Sequence, residues 1–133
     1  MSSGGASKVP ENLRYTKDHE WVEVKGNRAR IGITDYAQEA LTDVVFAELP
    51  DVGEEFSAHD SMGVVESVKS VNDIFAPLAG KVVAVNSDLE DAPELMNQDP
   101  YGKGWFCEVE VASAGEVASL MDAAAYRKLL ESQ

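Results

Sequence analysis

The chain has 133 residues, 44% of them hydrophobic, and 24 acidic against 11 basic side chains give a formal charge of −13. That length supports one domain with its own core and is too short for two, and no apolar run approaches the roughly 20 residues of a membrane-spanning helix. The acid excess argues against nucleic acid and anionic membranes and for partners with basic docking faces. The single cysteine, Cys107, excludes an internal disulfide and fits a reducing compartment. Within Trp105–Val109 it reads as a small packed residue rather than a nucleophile.

Met1–Ala6 is rich in Ser and Gly. It has neither the apolar stretch of a secretory signal nor the Arg-rich pattern of a transit peptide. Residues 1–8 are therefore expected to be a disordered tail, and residues 9–133 a single cytoplasmic domain. Trp21 to Lys25 alternates, Gly26-Asn27 is a turn signal, and Arg28 to Ile33 is a second strand, which predicts a hairpin. His19 lies between Asp18 and Glu20, but three adjacent residues of an extended chain cannot converge on one ion and no second ligand cluster exists, so no metal site is predicted. Asp35 followed by Gln38 resembles a capping box, and Ala37, Ala40 and Leu41 share one face of a short helix, expected to pack on the core. Val44 to Leu49 reads as a strand stopped at Pro50–Gly53, and Glu54 to Phe56 begins the next. His59-Asp60 reads as loop surface without a function.

Val64 to Ala76 contains two β-prone runs around a small polar centre, the pattern of a hairpin with its tip near Lys69. It lacks the Asn-Gly or Asp-Gly pair of a two-residue turn, so a slightly longer loop is expected. Val68 and Val71 are expected to hold the turn onto the body beneath. Lys69 stands between Ser67 and Ser70, with the acids Glu66 and Asp73 near it. A lysine that forms Schiff bases needs burial or a neighbouring cation, and neither is supplied. The remaining readings are a solvated surface lysine or a point of attachment for an acyl group brought by another enzyme.

Past the hairpin, Pro77 to Gly80 turns the chain and Lys81 to Val85 forms a strand. Pro93-Glu94-Leu95-Met96 fits a first helical turn, and Trp105 to Val111 is the last strand. Ser113 with Glu116 fits a capping box, and Tyr126, Leu129 and Leu130 make an apolar helical stripe, expected to pack on the chain's own sheet. Many short strands separated by turn residues predict a mainly β fold, a sandwich or flattened barrel with short helices and a C-terminal helix.

Glu66-Ser67-Val68-Lys69-Ser70, followed by Asp73-Ile74-Phe75-Ala76-Pro77 and Gly80, resembles the lipoyl-lysine site of the glycine cleavage system H protein. Biotin carrier domains usually place methionines beside the lysine and the lipoyl domains of 2-oxoacid dehydrogenases carry Asp-Lys-Ala; here the flanks are Val68 and Ser70. The resemblance extends through Thr16–Trp21, Asn86–Leu89, Pro93–Asn97 and Pro100–Trp105, and covers about residues 9 to 131. It departs at Tyr36, where the family often has histidine; tyrosine donates a hydrogen bond but does not titrate near neutrality. It also departs at Cys107, in place of a basic residue, which is expected to alter a surface contact.

The resemblance implies a lipoyl/biotinyl-carrier type of fold and a carrier with no catalysis of its own, and the spread of acids along most surface segments points to a monomer. Lipoate would be amide-linked to Lys69, with Glu66, Ser67 and Ser70 around the attachment point. The arm would take the aminomethyl group of glycine from the P protein, present it to the T protein, and be reoxidised by the L protein, after loading by a lipoate-attaching enzyme. Glu20 and Asp73 would pair with the aminomethyl amine in a cleft that shelters it from water. A lipoyl or octanoyl relay in lipoate metabolism would use the same lysine, and an interaction module that has lost its modification is a third reading.

Overall fold

The computed structural model of the chain describes residues 7–133; residues 1–6, most of the expected tail, lie outside the described residues. Ser7 Oγ donates to Glu39 Oε1 at 2.8 Å and Lys8 N–H to Asp35 Oδ2 at 2.9 Å. The expected first hairpin is present as β2 (Glu20–Lys25) and β3 (Arg28–Ile33), with a short β1 (Arg14–Tyr15) on its outer edge. Gly26 turns it at φ 64°, a conformation open to glycine without steric cost. Trp21 pairs with Gly32, where a Cβ would lie 2.6 Å from the indole. The ring occupies the space a side chain would need.

The other strands are β4 (Val44–Glu48), β5 (Glu55–Phe56), β6 (Ser61–Ser67), β7 (Val71–Phe75), β8 (Gly80–Val85) and β9 (Cys107–Val111). All pairings are antiparallel. They form a six-stranded sheet ordered β1-β2-β3-β9-β8-β5 and a three-stranded sheet ordered β4-β6-β7. Neither sheet closes on itself, so of the two expected forms the sandwich is the one present. Val22, Ile31, Val82 and Val109 of the large sheet and Val65 and Ile74 of the small one are buried together with Phe106, Leu89 and Met96. Burial of such side chains contributes roughly 1.5 to 3 kcal/mol each and sets the sheets face to face.

Trp21 and Val22 are neighbours, yet each is 1% exposed. Val22 points into the core between the sheets, whereas Trp21 joins a second cluster with Leu13, Tyr15, Ala123 and Tyr126. A helix, α5 (Ala123–Glu131), covers that outer face. The predicted stripe is its basis: Tyr126 is fully buried and stacks on Tyr15 at 4.6 Å and 5°, with Leu129 and Leu130 packed alongside.

The remaining helices are α1 (Asp35–Leu41), α2 (Asp88–Asp91), α3 (Leu95–Gln98) and α4 (Ala114–Ala118). Both predicted capping boxes are corrected. Thr34, not Asp35, caps α1 by accepting from Ala37 N–H at 3.2 Å, while Gln38 donates to Asp35 Oδ1. The Ser113 side chain makes no cap bond: Glu116 N–H donates to Ser113 O at 3.1 Å, and the Glu116 carboxylate accepts from Ala79 N–H at 3.3 Å. Asp122 caps α5 through Ala125 N–H. No residue of α1 is fully buried; Ala37 and Leu41 pack on the core while Ala40 is exposed. Cys107 is 0% exposed, so it alters no surface contact. Burial pushes its thiol up to about 12.

Candidate functional site

β6 and β7 meet at a three-residue tip, Val68-Lys69-Ser70, and Lys69 is exposed. Ser67 shapes this tip. It is 8% exposed, its N–H donates to Ser70 O at 2.8 Å, and its hydroxyl accepts from the N–H groups of Lys69 at 3.3 Å and Ser70 at 3.2 Å. Ser70 Oγ in turn accepts from Asn72 Nδ2 at 2.9 Å. Polar satisfaction of the turn by its own serines leaves the lysine stem free to project. The expected anchoring by valines is not found: Val68 and Val71 are 64% and 65% exposed. Main chain anchors the tip instead, with Val68 N–H donating to Asp43 O at 3.0 Å.

Alternation along β6 sends Val65 inward and Glu66 outward, where Glu66 lies in register with Phe46 and Val71. Glu66 is therefore beside the tip but on the face away from the cleft described next. That cleft, of about 370 Å³, runs along β7. Its walls are Ile33, Val65 and Ile74 with Ala37, Ala40 and Leu41 of α1, and its polar groups include Lys17, Asp18, Glu20 and Asp73. The apolar face of α1 thus lines a cavity as well as touching the core. At about 3.3 Å per residue, Asp73 lies roughly 7 Å along β7 from Val71, the first strand residue past the tip.

Glu20 is the group the structure changes most. It opens β2, is 3% exposed, and accepts from Thr16 Oγ1 at 2.6 Å and from Phe75 N–H at 3.2 Å. Burial pushes its carboxyl up to about 7, against those two hydrogen bonds. A carboxyl held near neutrality in an apolar-walled cleft is able to meet a cation or to keep its proton when none is present. Asp73 is exposed and accepts from Ser61 Oγ at 2.9 Å. Glu20 and Asp73 both line the cleft.

Sequence reading missed Phe75 and Asp18 as parts of this cleft and Thr16 as the donor to Glu20, and it gave His19 only a metal test. Among the described residues no cluster of three or more His, Cys, Asp or Glu is placed to hold a metal. His19 lines the cleft, and its ring lies 4.6 Å from that of Tyr36. An imidazole therefore stands beside position 36 although that residue is a tyrosine. His59 is exposed in its loop.

An exposed lysine at a serine-bound hairpin tip, beside a cleft with apolar walls and acidic groups, defines a carrier domain of the lipoyl type. Residues 13–133 match the family model of the glycine cleavage H-protein. The H protein of Carboxydothermus hydrogenoformans is 53% identical over 127 residues, covering 96% of this chain and 98% of that protein. That of Symbiobacterium thermophilum is 54% identical, covering 89% and 92%. A crystal structure of the H protein from Mycobacterium marinum superposes with a TM-score of 0.85 at 41% identity, over 92% of this chain and 99% of that one. The chain belongs to the glycine cleavage H-protein family, and its role is that of the carrier in glycine cleavage. No helix among the described residues is long and apolar enough to cross a membrane.

Proposed function

We propose that Lys69 is the lipoylated residue and that the cleft beside Glu20 receives the far end of the arm. Lipoate, once amide-linked to Lys69, supplies a disulfide that takes up the aminomethyl group and the electrons released when glycine is decarboxylated. The chain itself binds, orients and shelters. Ser67 and Ser70 hold the tip so that the amine faces solvent on all sides. Ile33, Leu41, Val65 and Ile74 offer the arm an apolar path, and Glu20, Asp18 and Asp73 favour a cationic end over a neutral one. Exclusion of water from that end slows its hydrolysis.

The observation that carries this reading is the buried Glu20 carboxyl, which lines the same cleft as Asn72 to Phe75 of β7, the strand that leaves the Lys69 tip. On this reading the chain is a non-catalytic cytoplasmic subunit. Its partners are the P, T and L proteins and the enzyme that attaches lipoate, each drawn to an acidic surface by a basic one. Family membership favours glycine cleavage over an acyl relay. Intact mass and peptide mapping of the chain from lipoate-replete cells test the attachment: a lipoyl amide on Lys69 is expected, and an unmodified lysine in the presence of a competent ligase overturns it.

A further inference from the structure

The turn that delivers Glu20 is closed by its own backbone. His19 N–H donates to Thr16 O at 3.1 Å and Thr16 N–H to Glu20 O at 3.0 Å. Within it His19 adopts φ 70°, the left-handed region that a side chain other than glycine keeps only where its surroundings compensate. Those surroundings converge on one group. Tyr126 Oη is 2.8 Å from His19 Nδ1 and 2.7 Å from Thr34 Oγ1, and the Tyr126 ring meets the imidazole edge-on at 5.7 Å. His19 O also accepts from Thr34 N–H at 3.0 Å.

Thr34 Oγ1 accepts from Ala37 N–H and keeps both a proton and a second lone pair, so Tyr126 Oη bridges Thr34 and His19 Nδ1 whichever end donates. Burial lowers the proton affinity of His19 against the pull of Asp18 and a side-chain hydrogen bond with Gln133, which favours a neutral ring. The relay starts at the cap of α1, passes through α5, and ends on the residue before Glu20.

We propose that Tyr126 is a positioning residue for Glu20: its hydroxyl joins Thr34 to His19 and so fixes the turn that holds the carboxyl in the cleft. The proposal rests on the reading of Glu20 as the carboxyl that meets the loaded arm. Tyr126 lies outside the cleft lining and acts through His19. The competing account is that its ring merely fills the core against Tyr15. The charged groups facing Glu20 are Lys17 and Asp18 from its own turn and Asp73 from β7, whereas α1 presents only Ala37, Ala40 and Leu41.

Tyr126→Phe separates the two accounts, because it keeps the ring and removes the hydroxyl. In the full chain, NMR of the His19 ring nitrogens and of the Glu20 carboxyl across pH reads the relay without any cofactor. The lifetime of the lipoylated, aminomethyl-loaded chain reads its consequence. Tyr126→Phe is expected to change the His19 tautomer balance, to move the Glu20 midpoint by at least about half a pH unit, and to shorten the loaded lifetime severalfold. Thr34→Ser, which keeps the hydroxyl, should behave as the parent, and Thr34→Val should follow Tyr126→Phe; this pair carries the test if Tyr126→Phe fails to fold. An unchanged Glu20 midpoint and His19 tautomer overturn the proposal. So does an unchanged lifetime in a background where Glu20→Gln shortens it. If Glu20→Gln leaves the lifetime alone while Tyr126→Phe still moves the Glu20 midpoint, positioning stands and the assigned role of Glu20 falls.

Discussion

Phe75 donates its backbone N–H to the Glu20 carboxyl at 3.2 Å, across 55 residues of chain. The bond ties the strand leaving the Lys69 tip to the first residue of β2, and so joins the proposed attachment point to the wall of the cleft.

Glu20 makes stability depend on pH. Its carboxyl ionises near 7 in the folded protein against an ordinary 4.5. Between those values the folded state keeps a proton that the unfolded chain has lost, so this group's contribution falls as pH rises from about 4.5 to about 7, then levels off. Glu20→Gln is expected to gain up to about 3 kcal/mol over the parent at pH 8 and little at pH 4. Urea denaturation at the two pH values checks this, and a gain that is equal at both speaks against the raised ionisation.

Lys69→Arg keeps the charge and removes the acylatable amine. It should change stability by less than about 0.5 kcal/mol, as for other exposed positions, and abolish lipoylation. Mass spectrometry after incubation with ligase, lipoate and ATP reads the second outcome; modification of another lysine would move the attachment point.

Ser67→Ala removes the acceptor shared by the N–H groups of Lys69 and Ser70. The expected cost is about 1 to 2 kcal/mol, with a slower rate of lipoylation because the tip is no longer preset. A loss of stability without a slower rate would show that the ligase reshapes the loop for itself.

Gly63 has no room for a side chain. A Cβ would sit 2.5 Å from Glu48 O and from the Phe106 ring, one of them backbone of the paired strand. Gly63→Ala should cost about 2 to 3 kcal/mol through overpacking, measured by thermal or chemical denaturation.

Cys107 should be inert in the native protein. Its thiol is fully buried and pushed up to about 12, so maleimide labelling is expected to proceed only at the rate of opening events. Labelling in urea should be immediate. Fast labelling of the folded chain would contradict the burial.

Local features were legible in the residues alone. The β2–β3 hairpin was legible from Gly26-Asn27 between two strand-like runs, and the lysine tip from Ser67 and Ser70 around Lys69, because turns and alternation act over a few residues. The stripe Tyr126, Leu129, Leu130 likewise announced a buried helix face. Local signals also misled where two groups competed: Asp35 was read as a cap when Thr34 stands one residue earlier, and Glu116 turned from Ser113 to Ala79. Tertiary structure alone decided the rest. Glu66 and Glu20 are both glutamates near apolar residues, and only the pleat of β6 and the cleft that α1, β2 and β7 line together put one outside and the other in the cleft. The raised ionisation of Glu20 follows from its burial in the folded chain, against the bond from Phe75, and the Tyr126–His19 bond spans 107 residues. Contacts of that range depend on how the sheets stack, which no short window of sequence contains.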